Sequence, residues 1–216
     1  MRVFLSCILL LSVMTADAQT KRALNFDDLW AMQRIGTVDL SPDGTTLAFS
    51  LTSYSIDLNK GNSDIYLVNT DGTGLKALKN TEKGESGPKF SPDGKQLAYV
   101  MNNQIRICNA DGSNDRELTT LHTGASGGVW SRDGKKMLFV SSVYPDCADQ
   151  KCNKMKDEQK EKSLVKASVF DELMYRHWDD WRGDKRSHLF LLDIASGEYT
   201  DLTIFSTSDV PPISLG

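Results

Sequence analysis

Several absences narrow what this chain can be before any motif is read. It has no excess of basic residues: 25 Lys and Arg stand against 29 Asp and Glu, a net charge of −4, and no basic stripe gathers anywhere. Gripping a nucleic-acid backbone needs such a surface, so no nucleic-acid partner is expected. Histidine is scarce, and His122, His177 and His188 share no HExxH or other tight ligand spacing. Cysteine is scarce as well, with no Cys-x-x-Cys and no second pair to complete a zinc site. Neither a metal nor a cofactor is expected. No 3.6-residue apolar period runs through the body of the chain, which excludes helical solenoids.

A membrane-spanning run is missing too. The apolar stretch Phe4–Val13 is too short for a permanent anchor. Arg2 precedes it and Ala16-Asp17-Ala18 follows, the small-x-small form of a cleavage site. Residues 1–18 therefore read as an export signal, the other reading being a buried first helix. No cysteine follows the cut, so no lipid anchor is expected and the mature chain would start near Gln19. The expected location is the periplasm or the extracellular space, with no membrane anchor after cleavage.

What the chain does have is a repeated phrase. Ser41-Pro42-Asp43-Gly44 recurs as Ser91-Pro92-Asp93-Gly94 and as Ser131-Arg132-Asp133-Gly134, each followed by a short apolar strand. A second phrase, a strand ending in Asp-Gly or Ser-Gly, closes each unit at Asp71-Gly72, Asp111-Gly112 and Ser196-Gly197. Asp-Gly suits tight connections because glycine accepts a positive φ and aspartate bonds to its own backbone. The spacing fits four-stranded blades. The expected fold is all-β, a partial β-propeller of about three WD40/TolB-like blades; a β-sandwich is the alternative.

The units fall at about 37–78, 87–121 and 128–203, after a lead-in over 19–36 with a short helical turn in Leu24–Met32. Blade one is expected to turn at Lys60-Gly61-Asn62 between its second and third strands, and blade two at Asn102-Asn103. The third unit is lengthened by a charged, partly helical insertion at 144–185. Cys147 and Cys152 bracket a polar stretch of it, as a local disulfide or as two free thiols, while Cys108 sits in a strand as a small buried side chain. The second half interleaves aromatic and charged residues: Glu172, Arg176, His177, Trp178, Asp179, Asp180 and Trp181. Either Tyr175, Trp178 and Trp181 staple the insertion to the propeller rim, or the segment borders a cavity and positions a peptide terminus. For an amine, Glu172, Asp179 and Asp180 would supply the counter-charge.

One match is rejected. Gly124-Ala125-Ser126-Gly127-Gly128 spells G-x-S-x-G, but a nucleophile elbow works only between a buried strand and a helix. Here a strand through Val129-Trp130 follows, in an inter-blade crossover. No catalytic residue is assigned.

The blade phrases resemble those of TolB and of the prolyl oligopeptidase family. The insertion, with Tyr144-Pro145-Asp146-Cys147, Cys152-Asn153-Lys154, Tyr175–Trp181 and Lys185–Phe190, looks like that of exported bacterial dipeptidyl-peptidase 5 and acylaminoacyl-peptidase-like enzymes. The resemblance implies a two-domain serine peptidase, with the propeller restricting entry of small peptides to an α/β-hydrolase domain. Residues 37–216 would then be an incomplete propeller, and that domain lies outside this sequence. No catalytic residue carries over, and the 216-residue chain alone is expected to be inactive. Within the chain, Glu172, Arg176, His177, Trp178, Asp179 and Trp181 are the candidate substrate contacts. The expected partners are small peptides and the protein's own hydrolase domain. The competing reading is a non-enzymatic TolB-like propeller mediating protein–protein interaction; a third is that the short chain is itself a natural product.

Overall fold

The repeated phrase folds the same way three times, and the hydrogen bonds say why. Ser41 donates its hydroxyl to Asp43 Oδ1 at 2.6 Å and accepts from the Thr46 amide at 2.9 Å, while Asp43 Oδ1 also accepts from the Thr45 amide at 3.1 Å. Gly44 completes the turn at φ 72°. Ser91/Asp93 and Ser131/Asp133 repeat these bonds, with Gly94 and Gly134 at φ 69° and 68°. At the closing turns, Asp71 accepts from the amide and hydroxyl of Thr73, and Asp111 from those of Ser113; Gly72 and Gly112 follow at positive φ. Each turn is thus specified by its own side chains rather than by tertiary contacts.

A computed structural model describes residues 22–165, 167, 169–170, 176–177, 179–181 and 183–212. The expected export signal at 1–18 lies outside the described residues. A short helix, α1 (Phe26–Ala31), opens the described chain with a capping box: Asn25 accepts from the Asp28 amide and Asp28 from the Asn25 amide. Leu29 and Met32 stay exposed; it is Trp30 that packs edge-on against Tyr54, ring centroids 5.9 Å apart.

Three four-stranded antiparallel sheets follow. Blade one is β1 (Arg34–Leu40), β2 (Thr46–Ser55), β3 (Lys60–Asn69) and β4 (Lys76–Lys79). Blade two is β5 (Glu85–Phe90), β6 (Gln96–Met101), β7 (Gln104–Asn109) and β8 (Arg116–Glu117). Blade three begins with β9 (Ser126–Trp130) and β10 (Lys136–Val143), then leaves the sheet for α2 (Gln150–Lys162) and a small hairpin of β11 (Arg176–His177) and β12 (Asp180–Trp181). It resumes with β13 (Arg186–Asp193) and β14 (Tyr199–Asp201). Val143 and Arg186 are register partners, so the excursion leaves and rejoins the blade at one rung.

The expected turn at Lys60-Gly61-Asn62 is corrected. Those residues are already in β3, paired with Ser55, Tyr54 and Ser53, and the chain reverses over residues 56–59, with Asn59 at φ 44°. Gly61 serves a cross-strand purpose: a Cβ there would stand 3.1 Å from Cε1 of Tyr54, whose ring covers it. Asn102 and Asn103 do form the blade-two hairpin, at φ 52° and 56°. Ser126, Gly127 and Gly128 lie in β9 rather than in a free crossover, and Ser126 pairs with Val140.

Alternation along the strands builds two seams. Between blades one and two, Ala48, Ile65 and Leu67 meet Phe90, Leu97, Tyr99 and Cys108. Between blades two and three, Ala98, Ile105 and Ile107 meet Met137, Phe139, Phe190 and Leu192, with Phe139 stacked on Phe190 at 5.2 Å. Side chains of this size are worth about 1.5–3 kcal/mol each when fully buried. The turns stack as well: a Cβ on Gly94 would meet Pro42 Cδ at 3.4 Å, and one on Gly134 would meet Pro92 Cδ at 3.7 Å.

Polar pins lock the seams. Asp39 of β1 accepts from Lys89 Nζ at 2.9 Å and from the Phe90 amide at 2.8 Å, and Trp130 Nε1 donates to the Lys89 carbonyl at 3.1 Å. Farther out, Asp115 collects Lys79 Nζ at 2.8 Å, Arg106 Nε at 3.0 Å and the Tyr99 hydroxyl. Burial opposes ionisation of Asp115, but those donors outweigh it and hold the carboxyl below its ordinary value.

Candidate functional site

The insertion at 144–185 is the part of the chain that blade-building does not require, and its anchorage defines the candidate site. Its root is a compact knot. Cys147 and Cys152 are joined by a disulfide, Asp149 caps α2 by accepting from the Cys152 amide at 2.7 Å, and Asn153 Oδ1 accepts from the Tyr144 amide at 2.8 Å. Gln150, Asn153 and Asp157 recur at three- and four-residue spacing, which puts them on one face of the helix. That face meets the crossover between blades two and three: Thr123 donates its amide and hydroxyl to Gln150 Oε1 at 3.2 and 3.1 Å.

Asp157 is the hub. His122 Nε2 lies 2.9 Å and Lys185 Nζ 2.8 Å from its Oδ2, and the Tyr144 hydroxyl donates to Oδ1 at 3.0 Å. The nitrogens of Lys156 and Lys185 each lie 5.1 Å from the Tyr144 ring centroid. Burial alone would raise the Asp157 pKa, yet the bonds from Lys185, His122 and Tyr144 hold it below the ordinary carboxylate value. Burial first, and then the bond to Asp157, push Tyr144 up to about 12. Lys160 pairs with Asp184 at 3.0 Å, a second tie between α2 and the returning strand.

Beside the hub opens a cleft of about 640 Å³ lined by His122, Asp157, Glu158, Lys160, Glu161, Val165 and Ala167. Its wall carries both signs of charge and a short apolar edge at Val165 and Ala167. Its described lining includes no serine, threonine or cysteine. Among the described residues, neither His122 nor His188 hydrogen-bonds a serine, threonine or cysteine side chain. Ser126 is exposed in β9, with no helix after it. Among the described residues no group of three or more His, Cys, Asp or Glu is placed to hold a metal ion, and no helix is long and apolar enough to cross a membrane.

Of the residues singled out from the sequence, Arg176 and His177 form β11, Asp179 sits in the turn, and Trp181 pairs with Arg176 in β12. Glu172, Trp178 and Tyr175 lie outside the described residues. Trp181 is 63% exposed and stacks on Phe170 of the same insertion, centroids 5.5 Å apart and planes at 13°. Among the described residues, Asp157 ties α2 to His122 and Gln150 ties it to Thr123, both in the crossover between blades two and three. Sequence reading missed His122, Tyr144, Asp157 and Lys185; the three- and four-residue spacing of Gln150, Asn153 and Asp157 is a signal for Asp157, and nothing local points to its three partners.

The chain matches the family model described as TolB beta propeller domain (PD40) over residues 31–173. It is 31% identical over 175 residues to a dipeptidyl-peptidase 5 of Porphyromonas endodontalis, covering 80% of this chain and 24% of that protein. It is also 31% identical over 190 residues to the dipeptidyl-peptidase 5 of Porphyromonas gingivalis, covering 86% of this chain and 27% of that protein. The chain thus spans about a quarter of the length of these relatives. Among solved structures, the acylaminoacyl peptidase of Pyrococcus horikoshii superposes with a TM-score of 0.60 at 15% identity, over 80% of this chain and 25% of that one, a likeness of fold. Three sheets with repeated turns and a match across most of their length lead to one assignment: the chain belongs to the TolB beta propeller domain family.

Proposed function

We propose that this chain is the N-terminal propeller segment of an exported, serine-type dipeptidyl-peptidase-like enzyme. In this reading the propeller gates and positions small peptides for hydrolysis by an α/β-hydrolase domain elsewhere in a longer protein. The observation that carries the reading is the 31% identity to two dipeptidyl-peptidases 5, each about four times as long as the matched stretch. The cleft beside Asp157 and the hairpin Arg176–Trp181 lie in the insertion, where a peptide would be met. Glu172, Arg176, His177, Trp178, Asp179 and Trp181 are the proposed contacts, the carboxylates supplying the counter-charge to a free amino terminus. No cofactor takes part, since the serine mechanism needs only a base, an orienting carboxylate and oxyanion donors. The leader-like residues 1–18 support a periplasmic or extracellular site of action.

The test uses the longer protein and the 216-residue chain side by side. A fluorophosphonate probe should label the former and miss the latter, and a dipeptidyl amide with a free amine should be cleaved while its acetylated counterpart is not. A longer protein that consists only of further blades and takes no label would sink this reading. That outcome favours the second reading, a TolB-like propeller that binds a protein partner, which the family match supports.

A further inference from the structure

The seam between blades one and two and the seam between blades two and three are built from the same rungs. The Ala110 amide donates to the Lys95 carbonyl as the Ile194 amide donates to that of Lys135, both at 2.9 Å, so Ala110 and Ile194 hold one place in their blades. Phe90 opposite Leu97 corresponds to Trp130 opposite Met137, and Lys76 opposite Leu67 corresponds to Arg116 opposite Ile107.

The second seam is filled at these places. Ile194 is buried, Arg116 Nη2 reaches across to the Ile194 carbonyl at 3.0 Å, and Trp130 packs against the core and donates to the Lys89 carbonyl. At the first seam the counterparts are alanine, phenylalanine and a lysine that makes no such bond across the seam. A cleft of about 510 Å³ opens there instead, within the usual size of a small-molecule site, and blades one and two supply both of its walls.

Its lining divides by role. Pro42, Leu67, Phe90 and Ala110 make the apolar part. Asp43 and Asp93 also line it, but each has its Oδ1 engaged by its own turn. Lys76 and Lys95, one from each blade, are not engaged. Among the described residues neither ammonium makes a hydrogen bond or an ion pair, whereas Lys79 and Lys89 are both paired with aspartates.

We propose that this cleft binds a small carboxylic acid with an apolar body. The body takes the volume that Trp130 and Ile194 occupy at the second seam, and the carboxylate accepts charge-assisted bonds from Lys76 and Lys95. No residue of the insertion takes part, so the site stands or falls separately from the peptidase reading.

Titration calorimetry of the 216-residue chain with 3-phenylpropionate tests it, with 3-phenylpropionamide and 3-phenylpropylamine as neutral and cationic counterparts. The acid is expected to bind saturably and about tenfold or more tighter than the amide, the scale of a hydrogen bond to a charged group. Lys76→Gln and Lys95→Gln, both at exposed positions, should each remove most of that preference and leave amide binding unchanged. Ala110→Ile installs the residue that blade three already carries and should abolish binding of acid and amide alike, with wild-type circular dichroism. Such a carboxylate has two sources, a free acid and a peptide end. N-acetylphenylalanine stands for the first and a tetrapeptide ending in phenylalanine for the second, and the stronger competitor of phenylpropionate identifies which. The proposal is overturned by competition from neither, by no saturable binding of the acid, by an amine that binds as tightly, or by an Ala110→Ile chain that keeps its affinity. Where that variant fails to fold, the two lysine variants still decide.

Discussion

His188 Nδ1 lies 2.7 Å from Asp201 Oδ2, and the imidazole, wholly buried, sets its Nε2 2.9 Å from the carbonyl oxygen of Ser206. Both ring nitrogens face acceptors, and Asp201 Oδ1 also accepts from the Thr203 amide at 2.8 Å. The pair has the contacts of a catalytic His–Asp dyad, but among the described residues no serine, threonine or cysteine side chain hydrogen-bonds the imidazole. Its work is to fasten the segment after β14 onto β13. His188→Leu takes away the ring that faces the Asp201 carboxylate and the Ser206 carbonyl, and leaving such acceptors short of a donor costs about 1–3 kcal/mol. Urea denaturation should show the loss, and a midpoint within error of wild type would remove the pair from the stabilising set.

Asp157→Asn tests the hub of the insertion. Hydrogen bonds to charged groups contribute about 1.5–3 kcal/mol net, and this carboxylate, partly exposed, should fall at the lower end. The loss is expected to be local: faster proteolysis within 144–185, with the blade signal little changed. The pH dependence has a definite sign. Asp115 and Asp157 both have folded pKa values below the ordinary 3.8, so their contribution is present above that value and fades as pH falls through the folded one. Tyr144 works at the other end: its contribution holds below the ordinary 10.0 and is lost as pH rises through about 12. Burial, and then the bond to Asp115, raise Tyr99 as well, so phenolate absorbance in alkaline titration should show two late tyrosines, of which Tyr144 alone moves earlier in Asp157→Asn.

These two clusters mark where sequence reading ends. The blade turns were legible because Ser41, Asp43 and Gly44 each act on neighbours within five residues, so the phrase carries its own geometry. Asp157 meets partners 35, 28 and 13 residues away, and no local phrase announces them. Gly61 misled for a related reason. Gly-Asn reads as a turn, but here the glycine makes room for the Tyr54 ring across the strand pair.

Gly94→Ala and Gly44→Ala separate backbone conformation from inter-blade contact. Both glycines have left-handed φ, at 69° and 72°, and alanine there costs about 1–2 kcal/mol from conformation alone. Only Gly94 also has Pro42 Cδ 3.4 Å from the new methyl carbon. That approach is ordinary van der Waals contact rather than a clash, so the two variants should lose about the same stability in urea. A clearly larger loss at Gly94 would show that the turns press on one another more tightly than this spacing.

Cysteine accessibility gives the last test, and it is graded by burial. Cys108 is 1% exposed at the first seam, and burial, ahead of the neighbouring charges, pushes its thiol up to about 11. At neutral pH it is a neutral thiol out of contact with water, and only the thiolate reacts readily. Cys147 and Cys152 are tied to each other across a separation of five residues. Native chain from residue 19 onward should thus take no iodoacetamide, take two equivalents after mild reduction, and take the third only on unfolding. So short a loop confers about 2 kcal/mol by chain entropy, which predicts that reduction loosens the root of α2 without unfolding the blades. Labelling of Cys108 in step with the other two would show that the first seam opens along with the insertion, and that the blades do not stand without the knot.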